Sequence, residues 1–151
     1  PGPPTTDAQD AAPTRRTALH SAMDAVEDPA HAPTKSQTWR PVLVAALDDL
    51  SLALEDHIAT VDTPGGILDR VVTDAPRLEV AGQRLRADHE PLREQVAAAI
   101  NAVRAVDSPP SDDDVTVIHE IILELVVALS RHRQRGSDFV WEAYDVDIGG
   151  H

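Results

Sequence analysis

Four histidines, His20, His57, His89 and His132, each sit on or beside the apolar stripe of a different helical pattern in this chain. A neutral imidazole offers one lone pair, and several converging in a helical core are a standard way to hold zinc, iron, copper or nickel there. A pair of them can also relay a proton, but no nucleophile or substrate-binding motif accompanies these, so an enzyme ranks last. Helix rise supports convergence. In a bundle of antiparallel helices, His57 falls roughly 28 Å along its helix and His132 roughly 31 Å along its own. His89 falls roughly 26 Å before the end of the intervening helix, a common depth for all three. The height of His20 is left free by a Pro-containing linker.

The elements that must position these rings are amphipathic helices. The densest apolar face lies in 111–147, where Val115, Ile118, Ile122, Leu125, Leu129, His132, Gly136, Phe139 and Ala143 recur at spacings of three and four. Ser111 and Asp114 have the spacing of a capping box. A first helix is expected with Thr14 or Thr17 as its cap, with Leu19, Met23 and Val26 as its stripe and Pro29 and Pro33 ending it. A second runs over about 38–61 through Leu43, Leu47, Leu50, Leu54 and Ile58, and stops at Asp62-Thr-Pro-Gly-Gly. A short extra helix follows near 65–73. A third long helix covers about 76–106, and Pro91 must either kink it after His89 or divide it in two.

The expected fold is therefore all-α: an antiparallel up-down-up-down four-helix bundle in a single domain over 14–147. Residues 1–13 have the composition of a disordered tail and no hydrophobic stretch like that of a signal peptide, and 148–151 form a C-terminal tail. The length of 151 residues suffices to bury roughly two-thirds of the unfolded chain's surface. With two Trp, one Tyr and one Phe, the core must be built from aliphatic side chains.

Composition excludes several classes. The absence of cysteine removes disulfides, thiolate metal sites and cysteine nucleophiles, and a reducing cytoplasm is the plain expectation. A net charge of −13 opposes nucleic acid and anionic membranes as partners. The longest apolar run, 115–129, is too short to span a bilayer and contains His119, Glu120 and Glu124. No phosphate-binding, dinucleotide-binding or nucleophile-elbow pattern occurs.

The segments ALHSAMDAVE, LEDHIATVD followed by TPGGIL, LRADHEPLREQV and LSRHRQRGSD resemble, in order, the four helices of hemerythrin-like (HHE cation-binding) proteins. The resemblance covers about 14–147. It implies inward ligands to a non-haem di-iron site: a lone His, then His-x-x-x-Glu, His-x-x-x-His and a His followed four or five residues on by a carboxylate. His20, His57, His89 and His132 match those positions. Val61 stands where the bridging Glu belongs, with Asp62 one position late. Arg93 replaces the second His of the third helix. Gly136 and Ser137 precede Asp138 on the fourth. The candidate metal ligands are accordingly His20, His57, His89 and His132 with Asp62 and Asp138.

The chain reads as a remodelled member of that family. The metal implied is iron, as a di-iron or a mononuclear centre, with a role in handling or sensing oxygen, nitric oxide or peroxide. The alternative is a metal-free bundle that binds a protein partner or a second copy of itself. Glu55, Asp56, Asp88 and Glu90 flank His57 and His89 as candidate partners to orient the rings, but neighbours on a helix point well away from the ring direction, so surface charge is the expectation. Phe139, Trp141 and Tyr144 read as a cap on the core, or else a docking patch.

Overall fold

The computed structural model describes residues 7–30 and 38–149, with side chains from 18 to 29 and from 38 to 145. These residues are almost wholly helical and contain no strand. In order they form α1 (Asp7–Ala30), α2 (Trp39–Val61), α3 (Ile67–Asp74), a 3-10 turn (Pro76–Leu78), α4 (Glu79–Ala87), α5 (His89–Ala105) and α6 (Asp112–Gly149). None of these helices is long and apolar enough to cross a membrane.

Apolar periodicity builds the long helices. Trp39, Leu43, Leu47, Leu50, Leu54 and Ile58 form the buried side of α2. Pro41 lies in its first turn, where an N–H has no intrahelical acceptor to lose. Ser111 caps α6, its Oγ accepting the Asp114 N–H at 3.1 Å, and three aspartates in the first turn suit the positive end of the helix dipole. Helix α1 packs on α2 and α6, α2 on α5, and α5 on α6. Their inward faces share one aliphatic core, in which Leu43, Leu47, Leu50, Val26, Ala99 and Val103 are fully buried.

The region expected as one helix over 76–106 is divided. A 3-10 turn begins at Pro76, α4 ends at Ala87, and α5 starts at His89 with Pro91 in its first turn. The cause is local: residue 91 has no N–H to give the Ala87 carbonyl, and its ring crowds that carbonyl. Asp88 occupies the joint, its N–H reaching back to the Arg84 and Leu85 carbonyls at 3.2 and 3.3 Å.

A second, smaller core gathers Leu68, Val71, Ala75, Leu78, Leu85, Phe139 and Ala143 where α3 and α4 pack on the C-terminal part of α6. The turn that leads into it needs both glycines. Gly65 has φ +75°, and a Cβ on Gly66 would stand 2.9 Å from the Thr63 carbonyl oxygen. Gly65 N–H donates to Asp69 Oδ2 at 2.9 Å, tying the turn to the first turn of α3. Of the three aromatic side chains near the end of α6, Phe139 is buried in this core, whereas Trp141 is 67% exposed and Tyr144 is exposed with its hydroxyl on Asp74.

Helix α1 begins at Asp7, so part of the stretch expected as a tail is helical, and α6 continues to Gly149 into the expected C-terminal tail. Residues 1–6, the linker 31–37 and residues 150–151 lie outside the described residues.

Candidate metal centre

Three of the four histidines meet between the two cores. His57 comes from the last turn but one of α2, His89 from the first residue of α5, and His132 from the middle of α6. His89 and His132 are buried, and His57 is half-buried. Their ring centroids are separated by 6.1 Å (57–89), 5.4 Å (57–132) and 5.0 Å (89–132), with steep interplanar angles of 72–88°. One nitrogen from each ring lies within 4.8 Å of the other two, and among the described residues this is the group of side chains arranged to hold a metal ion.

The separation between His57 Nε2 and His132 Nε2 is 3.3 Å. A tetrahedral ion with metal–nitrogen bonds of about 2.0–2.1 Å sets donor–donor edges of about 3.3 Å. That pair already has the required spacing, and the remaining pairs close by at most about 1.5 Å.

Carboxylates fix two of the rings from behind. Asp88 Oδ2 accepts from His132 Nδ1 at 2.9 Å, and Asp62 Oδ2 accepts from His89 Nδ1 at 3.2 Å. An ionised carboxylate only accepts, so the proton of each ring is held on Nδ1 and the lone pair is left on Nε2. This is the outer-sphere arrangement that orients metal-binding imidazoles and raises their basicity. His89 Nε2 is buried with no hydrogen-bond partner, a costly state for a polar atom and the one a metal would relieve. Burial pushes the His89 pKa below the ordinary histidine value. The charges of His132 and Arg93 act in the same direction, and Asp62 opposes them. The ring is therefore held in its neutral, ligand-competent form.

Both carboxylates are in turn held by arginines. Arg86 Nε donates to Asp62 Oδ1 at 2.8 Å while its Nη2 donates to Asp69. Arg135 Nη2 donates to Asp88 Oδ2 at 2.9 Å. One set of charged hydrogen bonds thus ties the turn after α2, the first turn of α3 and α4 to His89 of α5, and a second ties the α4–α5 joint to His132 and Arg135 of α6.

Beside the rings lies a cavity of about 100 Å³, walled largely by apolar side chains that include Leu19, Val61, Leu68, Leu85, Phe139 and Val140. His57, His89 and His132 form part of its wall, so an ion held by them would face this space.

The other candidate ligands lie elsewhere. His20 is exposed on α1, its Nδ1 accepting from Arg133 at 2.8 Å and its Nε2 lying 3.4 Å from Asp24. Asp138 is exposed and accepts from Gln134. Asp62 stands behind His89 as a hydrogen-bond partner. Arg93, one turn beyond His89, turns outward to Glu55 at 2.6 Å, so its cation is neutralised at the surface.

Asp88 corrects the sequence reading most directly. It is no surface charge, being only 25% exposed and bonded to both His132 and Arg135. Two neighbours on a helix do point about 100° apart, so Asp88 cannot serve His89. That same angle sends it to the next helix. The signal in the sequence was Pro91, which marks the joint where α4 hands over to α5.

Comparison of the chain with family models, with curated proteins and with solved structures gives no match.

Proposed function

We propose that the chain is a metal-binding helical protein in which His57, His89 and His132 hold one transition-metal ion through Nε2. We take α1, α2, α5 and α6 to form an up-down-up-down four-helix bundle, remodelled from the hemerythrin-like plan that its motifs resemble. The metal's role is to bind a small ligand, with oxygen, nitric oxide and peroxide as the candidates that resemblance implies. The observation that carries this reading is the buried, partnerless Nε2 of His89 beside two more imidazoles, with carboxylates holding the rings behind them. A single ion is favoured over a di-iron centre because the donor group among the described residues is all imidazole. Two metals in close contact need bridging carboxylates, and Asp62 and Asp88 are engaged behind the rings. Imidazole donors suit iron, zinc, copper and nickel alike.

The test is metal analysis of untagged protein, as purified and after anaerobic loading with Fe(II), Co(II) and Zn(II). One ion per chain, lost in His57→Ala and His132→Ala variants that keep their helical circular dichroism, is the expected result. Absence of binding for all three ions refutes the reading.

A second reading, a bundle that docks on a protein partner, draws on Leu123, Val127 and Trp141 of α6, which are 61%, 39% and 67% exposed. Their spacings of four and fourteen residues place them within about 40° of one another around the helix.

A further inference from the structure

The cavity beside the histidines has more room than a diatomic ligand uses. Its volume of about 100 Å³ is set against roughly 10–15 Å³ needed for one water, which leaves room for a molecule of roughly five to eight non-hydrogen atoms. The walls away from the rings are aliphatic or aromatic, among them Val61, Ile67, Leu85, Phe139 and Val140. The polar exceptions are largely engaged: the Thr60 hydroxyl donates to the Asp56 carbonyl, and Arg133 to His20. Such a space is selective for a ligand polar at the imidazole end and apolar along its length.

Charge fixes what the polar end must be. The three imidazoles carry the ion as neutral donors. Around them Asp62, Asp69 and Asp88 stand against Arg86 and Arg135. A divalent ion added to that set, with Arg133 also on the cavity wall, leaves positive charge in excess, and an anion at the open side offsets part of it.

Resting on the metal-binding reading above, we infer that the cavity receives a short-chain aliphatic monocarboxylate. Its carboxylate closes the open side of the ion, and its tail of about three to five carbons lies against Val61, Phe139 and Val140. Each methylene buried in such a cavity tightens binding about fourfold.

The full chain loaded with Co(II) tests this, with acetate, propionate, butyrate, valerate and octanoate as probes at pH 7. The visible cobalt spectrum reports the ion's surroundings, and titration calorimetry reports affinity. The expected result is a spectral change with each short acid, affinity rising about fourfold per carbon from acetate to valerate, and a fall at octanoate. Val140→Phe, which fills the end of the cavity where the tail lies and offers no donor to an ion, is expected to weaken valerate at least tenfold and to remove the rise in affinity with chain length. Ile67→Phe serves in its place if the first variant does not fold. A flat chain-length series overturns the proposal. So does 1-butanol binding as tightly as butyrate, or azide changing the spectrum when no carboxylate does. Cobalt content is measured separately, so a chain that takes no cobalt refutes the metal-binding reading, and this inference falls with it.

Discussion

Asp88, at the joint between α4 and α5, and His132 of α6 meet at 2.9 Å, carboxylate Oδ2 to ring Nδ1. Asp88 is the chain neighbour of His89 yet serves the ring of α6, while His89 is served by Asp62 at the end of α2. The carboxylates are exchanged between helices, so the orientation of each ring depends on tertiary packing and not on its own helix. Replacing Asp88 with Asn removes the charge and leaves the shape. Metal affinity is expected to fall about tenfold to a hundredfold, with the fold retained, in a competition titration against a chelator.

Asp62→Asn and Asp138→Asn separate a partner behind the ring from an exposed residue. Asp62 holds His89 and is held by Arg86, so its loss is expected to weaken metal by a similar factor. Asp138 is bonded to Gln134 on the outer face of α6, and its substitution is expected to leave metal affinity within about twofold. An equal loss in both would make Asp138 a ligand.

Acid is expected to destabilise the metal-free protein through His89. Burial lowers its folded pKa below the unfolded value of about 6.5, so the unfolded chain takes up the proton first. Stability from this group is unchanged above about pH 6.5 and declines as pH falls from there toward the folded pKa, by at most about 1.4 kcal/mol per pH unit. Urea unfolding between pH 5 and 8 measures the slope, and His89→Gln is expected to flatten it.

Metal is expected to act as a folding ligand. At a free concentration a hundred times the dissociation constant it adds about 2.7 kcal/mol, visible as a rise in melting temperature. Removal by a chelator reverses the rise. In His57→Ala the melting temperature should not respond to metal at all.

Leu47 and Leu52, five residues apart on α2, measure what the core contributes. Leu47 is fully buried and Leu52 is 70% exposed. Leu47→Ala is expected to cost about 2–5 kcal/mol in denaturant unfolding. Leu52→Ala should change stability by no more than about 0.5 kcal/mol.

The sequence by itself determined the helices and the depth of three histidines. Apolar side chains at spacings of three and four dictate a buried stripe, and rise per residue converts a position into a height, so Leu43 to Ile58 and the level of His57, His89 and His132 follow from local physics. Pro91 marked the broken helix for the same reason, since a missing N–H acts on its own turn. Only the tertiary structure decided what surrounds those rings. Which carboxylate reaches which imidazole depends on the rotation of one helix against another, which no periodicity records. That rotation brings Asp88 to His132, turns Arg93 outward to Glu55, and leaves His20 on the surface. The cavity was likewise hidden in the sequence, because its walls come from separate helices and exist only where their side chains fail to fill the space between them.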